Sequence, residues 1–281
     1  MLSYRHSFHA GNHADLLKHL VLLALVRKLG EKDKPFTCLD SHAGAGTYDL
    51  QSANALMNAE YESGIARLWR QPVKSSLLQD YLHCVEALNP DGELHYYPGS
   101  PAVARWALRE RDRLLLLDLQ QEEVDLLRAH MRGDARIAIH QRDAFEGLLA
   151  LTPPDPRRGL VLIDPSYEQK ADYQRVVDCV HKLHRRWPVG ILAVWYPLLG
   201  EARDRSEWLK KALQQERLDA LSCVELTVSP QAPEFGMHGS GMLLVNTPWQ
   251  LERVLEDALN EVLPRLGTDV HFSIETLSES E

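Results

Sequence analysis

The strongest constraint on this chain is a series of short apolar runs that each end on a carboxylate. Residues 35–40 and 113–118 read as buried strands closing on Asp40 and Asp118. A third run, 135–140, is followed by Asp143, and a fourth, 159–163, by Asp164. Stretches of helical periodicity lie between them, over 122–132 and 170–187. Further on, 190–195, 223–228, 241–245 and 271–276 read as strands, and 206–216 and 251–263 as helices. This alternation predicts βαβ units and an α/β fold with a mainly parallel twisted sheet covered on both faces. Ligands of such sheets bind beyond the carboxyl ends of the strands, where these acids fall.

Before the first strand, Asn12 reads as an N-cap with Asp15 three residues on, and an apolar helix runs to Gly30. Lys18 and His19 interrupt that helix, either as a snorkelling surface pair or as a face lining a cleft. After the first strand comes Ser41-His42-Ala43-Gly44-Ala45-Gly46. Glycines there suit a backbone passing close to a ligand, although the third glycine of a dinucleotide fingerprint is missing. Residues 48–93 break the alternation: 60–70 and 75–89 have helical periodicity, and 89–92 reads as a turn. We expect them to be an inserted helical subdomain, with 1–47 and 94–281 forming the main domain. Ser100 as N-cap with Pro101 behind it predicts the helix that resumes the fold.

The chain has 281 residues, 44% of them hydrophobic, enough for one large domain. Its longest apolar stretch, 16–29, is shorter than the ~20 residues of a membrane span, and no signal-peptide pattern opens the chain. A cytoplasmic protein with no membrane partner is expected. Cys38, Cys84, Cys179 and Cys223 are scattered and read as reduced, buried thiols. His6, His9, His13 and His19 lack the spacing of a metal site, so no metal is expected. The net charge of −9 is unevenly spread. Residues 251–281 hold two arginines against eight acids, whereas the first 34 hold six Lys/Arg against three acids, plus four histidines. A basic N-terminal segment permits a nucleic-acid partner without requiring one.

Asp164-Pro165-Ser166-Tyr167 is the sharpest chemical feature. The exocyclic amino group of a base is a poor nucleophile, because its lone pair is delocalised into the ring. A carboxylate and a backbone carbonyl accepting its two N–H bonds would aim that lone pair at a methyl donor, and the carboxylate can take the departing proton. Pro165 stiffens the turn, and Tyr167 offers a ring for stacking. Asp118 suits the hydroxyls of a ribose. Asp143 suits an adenine amino group, or equally the cap of the helix at Ala144. Asn246-Thr247-Pro248-Trp249 looks similar but falls too late in the alternation and reads as a strand-to-helix turn.

Over nearly its whole length the chain resembles the RlmJ-type 23S rRNA adenine-N6 methyltransferases. The resemblance rests on the opening fifteen residues with Leu17-Lys18-His19, on residues 39–46, on Tyr96-Tyr97-Pro98-Gly99-Ser100-Pro101, and on Ala193-x-Trp195-Tyr196-Pro197. It implies a Rossmann-like class I methyltransferase fold with a small helical insertion. It also implies S-adenosylmethionine as methyl donor, with S-adenosylhomocysteine as product. The family's cofactor-contacting positions match His19, His42, Ser100, Asp143 and Asp164, with Gly44 and Ala144 beside them. Asp118 stands where family members commonly have Glu. Tyr4, His6 and Lys18 match positions at the target adenine, Asp164 matches the proton acceptor, and Pro165 and Tyr167 match the substrate side. Ser166 departs from a second proline usual in the family, which loosens the loop. The implied partner is 23S rRNA, naked or in an early assembly intermediate, acted on by a monomer with no obligate protein partner. Methylation of adenine in DNA, or non-catalytic binding of external DNA, stay open as alternatives.

Overall fold

The computed structural model describes residues 5–278. A 3-10 turn at His6–Phe8 leads into α1 (His13–Gly30), followed by β1 (Thr37–Asp40) and β2 (Thr47–Asp49). Next come α2 (Ala53–Asn58), two 3-10 turns, α3 (Ser76–Ala87), β3 (Tyr96–Pro98) and α4 (Ser100–Ala107). Then β4 (Arg113–Asp118), α5 (Gln121–His130), β5 (Ile137–Gln141), α6 (Ala144–Leu151) and β6 (Gly159–Ile163) alternate. They continue as α7 (Lys170–Arg186), β7 (Ile191–Leu199), α8 (Ser206–Gln215) and β8 (Ser222–Thr227). β9 (Met237–Val245), α9 (Leu251–Leu266) and β10 (His271–Thr276) complete the order.

The main sheet has eight strands in the order β10-β8-β9-β7-β6-β1-β4-β5. From β5 to β7 every pairing is parallel, while β9 runs antiparallel between β7 and β8, and β10 antiparallel on β8. β1 therefore sits where the strand order reverses, with β4 on one side and β6 on the other. Asp40 is level with Leu116 and Leu162, so Asp40, Asp118 and Asp164 emerge at the same end of three adjacent strands. That end of a switch point is the crevice where open α/β sheets bind ligands.

α1 is apolar nearly all round, the mark of a helix buried on every side. From Ala14 to Val26 every residue is buried. It packs on the sheet and is covered by α3, α4 and α9. Asn12 caps it, accepting from the amides of Ala14 and Asp15 at 2.9 and 3.0 Å. Residues 48–93 share its apolar core, contributing Ile65, Leu68, Leu78, Tyr81 and Val85 alongside Leu16 and Leu20.

Two local expectations differ from the structure. The helix read over 60–70 is two 3-10 turns, Glu60–Ser63 and Ile65–Arg67, separated by Gly64. A side chain at Gly64 would run into Gly11 and Asn12, and Ile65 donates its amide to Gly11 O at 2.9 Å, so packing on the N-terminal segment overrides helical continuity. Ser100 is also not a cap: Gly99 holds that position, and the Ser100 hydroxyl donates to Asp40 Oδ2 at 2.6 Å.

Among the described residues no helix is long and apolar enough to cross a membrane, and no group of three or more His, Cys, Asp or Glu could hold a metal ion. All four cysteines are buried free thiols.

Candidate active site

The cleft at the carboxyl end of the sheet has two lobes that meet at His6, Lys18, Asp164, Ser166 and Trp195. The inner lobe is walled by the loops after β1, β4 and β6 together with the start of α4. His42, Gly44, Ser100, Asp118 and Pro165 all line it. The outer lobe lies under the N-terminal segment and carries His9, His13, Glu60, Tyr167 and Arg203.

A chain of charged groups, buried at Asp15 and Lys18 and half-buried at His6 and Asp164, runs through the junction. Lys18 Nζ donates to Asp164 Oδ2 at 2.7 Å and pairs with Asp15 Oδ1 at 2.9 Å. The other oxygen of Asp15 accepts from His6 Nε2 and from the Gly11 amide, each at 2.9 Å. Burial works against ionisation of Asp15, but His6, Lys18 and His19 outweigh it and hold this carboxyl well below its ordinary range. Asp164 is pushed the other way by burial, with Lys18 opposing. Asp40 rises to about 6, again because it is buried, although Ser100 and the His42 amide donate to it. A carboxylate poised above its ordinary range next to a cation, in a cleft, fits a proton acceptor.

The glycine loop reaches the inner lobe through left-handed backbone. Gly44 has φ +57°, and a Cβ there would collide with the Tyr48 hydroxyl. Its amide donates to Asp118 Oδ2 at 2.9 Å, and the Gln120 amide donates to Oδ1 at 2.8 Å. Asp118 is thus a fixed, half-buried acceptor at the cleft wall, raised from its ordinary range by burial.

The donor set fits S-adenosylmethionine. Asp118 suits a diol, the glycine backbone allows close approach, and the buried polar atoms without a hydrogen-bond partner among the described residues include Glu123 Oε2, in the inner lobe, and His19 Nε2. His19 lies just behind the wall, fully buried, with Nδ1 2.9 Å from the Tyr97 hydroxyl. Its imidazole is driven down to about 3 by burial, so it is neutral.

Asp143 and Ala144 stand apart from the cleft lining, and Tyr167 lines the outer lobe without offering an open ring face. Asp143 caps α6, accepting from the Glu146 amide at 3.1 Å, and its second oxygen accepts from Arg175 at 2.9 Å. Ala144 is buried behind it. Both lie beside Phe145, whose ring meets His42 edge-on at 5.9 Å. Tyr167 is not an open platform: it is 5% exposed, and its ring packs 4.5 Å from that of Tyr173 and 6.1 Å from that of Trp195. With φ +52° in a non-glycine residue, the loop turns this side chain inward, where its hydroxyl donates to Trp195 O at 2.7 Å. Tyr4 lies outside the described residues.

Sequence reading passed over Asp15, Tyr48, Glu123 and Trp195 as site residues. Asp15 and Lys18 carried a signal, two opposite charges one turn apart in an otherwise apolar helix. Trp195 carried another, an aromatic residue near the end of the strand next to that of Asp164. Glu123 is one acid among several in the first turn of α5 and carried none.

Comparison with known proteins agrees with this geometry. The family model described as "Ribosomal RNA large subunit methyltransferase D, RlmJ" matches residues 33–275. The chain is 46% identical over 266 residues to ribosomal RNA large subunit methyltransferase J of Escherichia coli (strain K12), covering 95% of this chain and 93% of that protein. It is 40% identical over 267 residues to the protein of the same name from Haemophilus influenzae, with the same coverage. A crystal structure of a Legionella pneumophila protein, 32% identical, superposes with a TM-score of 0.87 over 95% of this chain and 98% of that one. With its strand order, its carboxylate-lined crevice and these relatives in agreement, the chain belongs to the RlmJ family of ribosomal RNA large subunit methyltransferases.

Proposed function

We propose that this protein is the enzyme that methylates the N6 amino group of a specific adenine in 23S rRNA, drawing the methyl group from S-adenosylmethionine. The observation that carries the reading is Asp164, half-buried at the junction of the two lobes and held by Lys18 at 2.7 Å. The inner lobe would hold the cofactor through Asp118, Gly44, His42 and Ser100, with His19, Asp143 and Ala144 behind them. The outer lobe would admit the base. Bound S-adenosylmethionine supplies a methyl group made electrophilic by its sulfonium charge.

The protein's own residues supply orientation. Asp164 accepts one N–H of the amino group and the Pro165 carbonyl the other, which turns the nitrogen lone pair toward the inner lobe. Lys18 opposes the burial that raises Asp164, and Asp164 takes the amino proton. His6 is tied by Asp15 to the same junction and lines both lobes there. By the family resemblance, Tyr4 would act on the base side of the reaction. The target adenine reaches the cleft unpaired, from protein-free 23S rRNA or an early assembly intermediate, and the enzyme acts as a monomer.

The test is transfer of labelled methyl to protein-free 23S rRNA, intact large subunits and duplex DNA, followed by digestion to nucleosides. Label in N6-methyladenosine from protein-free rRNA is expected. Label confined to DNA, or none anywhere with cofactor bound, overturns the reading. Asp164→Ala should lower transfer at least about a hundredfold, the span of a general base, while S-adenosylmethionine binding by calorimetry persists.

A further inference from the structure

We infer that Trp195, rather than the tyrosine of the Asp164–Tyr167 motif, is the aromatic wall against which the target base packs, with Tyr167 as its buttress. This rests on reading the site as a base-methylation centre. Ile163 is paired with Val194 across the parallel β6–β7 ladder, so Trp195 stands level with Asp164. Five described residues line both lobes, and Trp195 is the one among them with a large aromatic surface. A flat ring beside an amino-holding carboxylate is what a base needs, because every base has a face to stack.

Two further observations point the same way. Tyr167 is already committed: its ring is enclosed between Tyr173 and Trp195, and its hydroxyl donates to the Trp195 carbonyl. It fixes Trp195 from behind and leaves the indole as the surface facing the junction. The indole N–H of Trp195 is buried without an acceptor among the described residues. A tryptophan kept only for the protein's own architecture normally satisfies that donor.

The experiment compares the wild type with Trp195→Phe, Trp195→Leu and Tyr167→Phe. Wild-type label transfer to N6 of adenine in 23S rRNA is measured first; its absence defeats the base-methylation reading and is distinct from any result on Trp195. Given that transfer, Trp195→Leu should lower kcat/KM for RNA by roughly fivefold to a hundredfold, the range of a lost base–aromatic stack, with S-adenosylmethionine affinity unchanged. Trp195→Phe should lose less. With S-adenosylhomocysteine saturating, adenosine 5′-monophosphate should quench the tryptophan fluorescence of wild type and Tyr167→Phe but not of Trp195→Phe. The quench keeps the proposal testable if Trp195→Leu melts early. Loss of cofactor affinity in step with activity, unchanged kcat/KM in Trp195→Leu, or a quench that survives in Trp195→Phe overturns the inference.

Discussion

Lys18 sets the charge balance of the cleft junction at the scale of a single residue. Its ammonium lies between the buried carboxylate of Asp15 and the half-buried one of Asp164, with 6% of its side chain exposed. Removing one partner from a buried pair leaves charge uncompensated and costs about 3–5 kcal/mol. Lys18→Met should therefore lower unfolding free energy by about that amount in urea titrations and abolish methyl transfer. Adding Asp164→Asn to it should restore part of the stability and none of the activity. Asp40 and the buried histidines make a second case. Burial holds the imidazoles of His19 at about 3 and His42 at about 4. Depressed imidazoles bind fewer protons folded than unfolded, so their contribution to stability is present above about pH 6.5 and lost as the pH falls. Asp40, raised to about 6, has the opposite sign: its contribution is full below the ordinary carboxylate range and lost as the pH rises through about 6. Asp40→Asn removes that opposition, so its Tm should fall more steeply than the wild type's between pH 6.5 and 4.5 in a thermal-shift series.

α1 is the element that joins sequence to site. Its apolar surface fixes it between the sheet and residues 48–93, and that fixed position aims Lys18 at Asp164, 146 residues further along the chain. Its N-terminus is anchored by Asn12, which caps two amides and donates to Glu60 Oε2 at 2.9 Å in the inserted segment. Loss of such a cap costs about 1 kcal/mol. Asn12→Ala should lower stability by about that much by urea titration. It should also slow methyl transfer several-fold, because the first turn of α1 carries Asp15 and leads to Lys18. If kcat/KM is unchanged in Asn12→Ala, the link between this cap and the cleft fails.

For the whole molecule, charge distribution matters more than the total. The net −9 gives no general attraction to a polyanion, so rRNA binding has to use local cations, and on the proposed reading these lie around the outer lobe. Arg203 lines that lobe, on a loop pinned to residues 232–236 by backbone hydrogen bonds such as Ala202 N to Pro233 O at 3.1 Å. Affinity for 23S rRNA should fall as salt rises, with the slope counting neutralised phosphates. Arg203→Ala should weaken binding at every salt concentration and reduce that slope by about 1 in a filter-binding series. An unchanged slope would remove Arg203 from the RNA path.

The α/β class, the strand-end acids Asp40, Asp118 and Asp164, the cap at Asn12 and the motif at Asp164 were all legible in the chain. Each rests on local causes: side-chain periodicity, a capping side chain, or a turn after a strand. Tertiary structure alone decided the rest. The Lys18 side of α1 could have been a solvated face; burial against the sheet and residues 48–93 placed Lys18 at the junction of the cleft's two lobes. Residues 60–70 had the periodicity of a helix, yet contact with Gly11 and Asn12 broke them at Gly64. Ser100 looked like a cap and became a donor to Asp40, 60 residues earlier. Tyr167 looked like a free ring and was turned inward by left-handed backbone, leaving Trp195 of the adjacent strand to face the cleft. Such outcomes depend on which distant side chains meet in the packed core, and the pattern along one strand or helix does not encode those meetings.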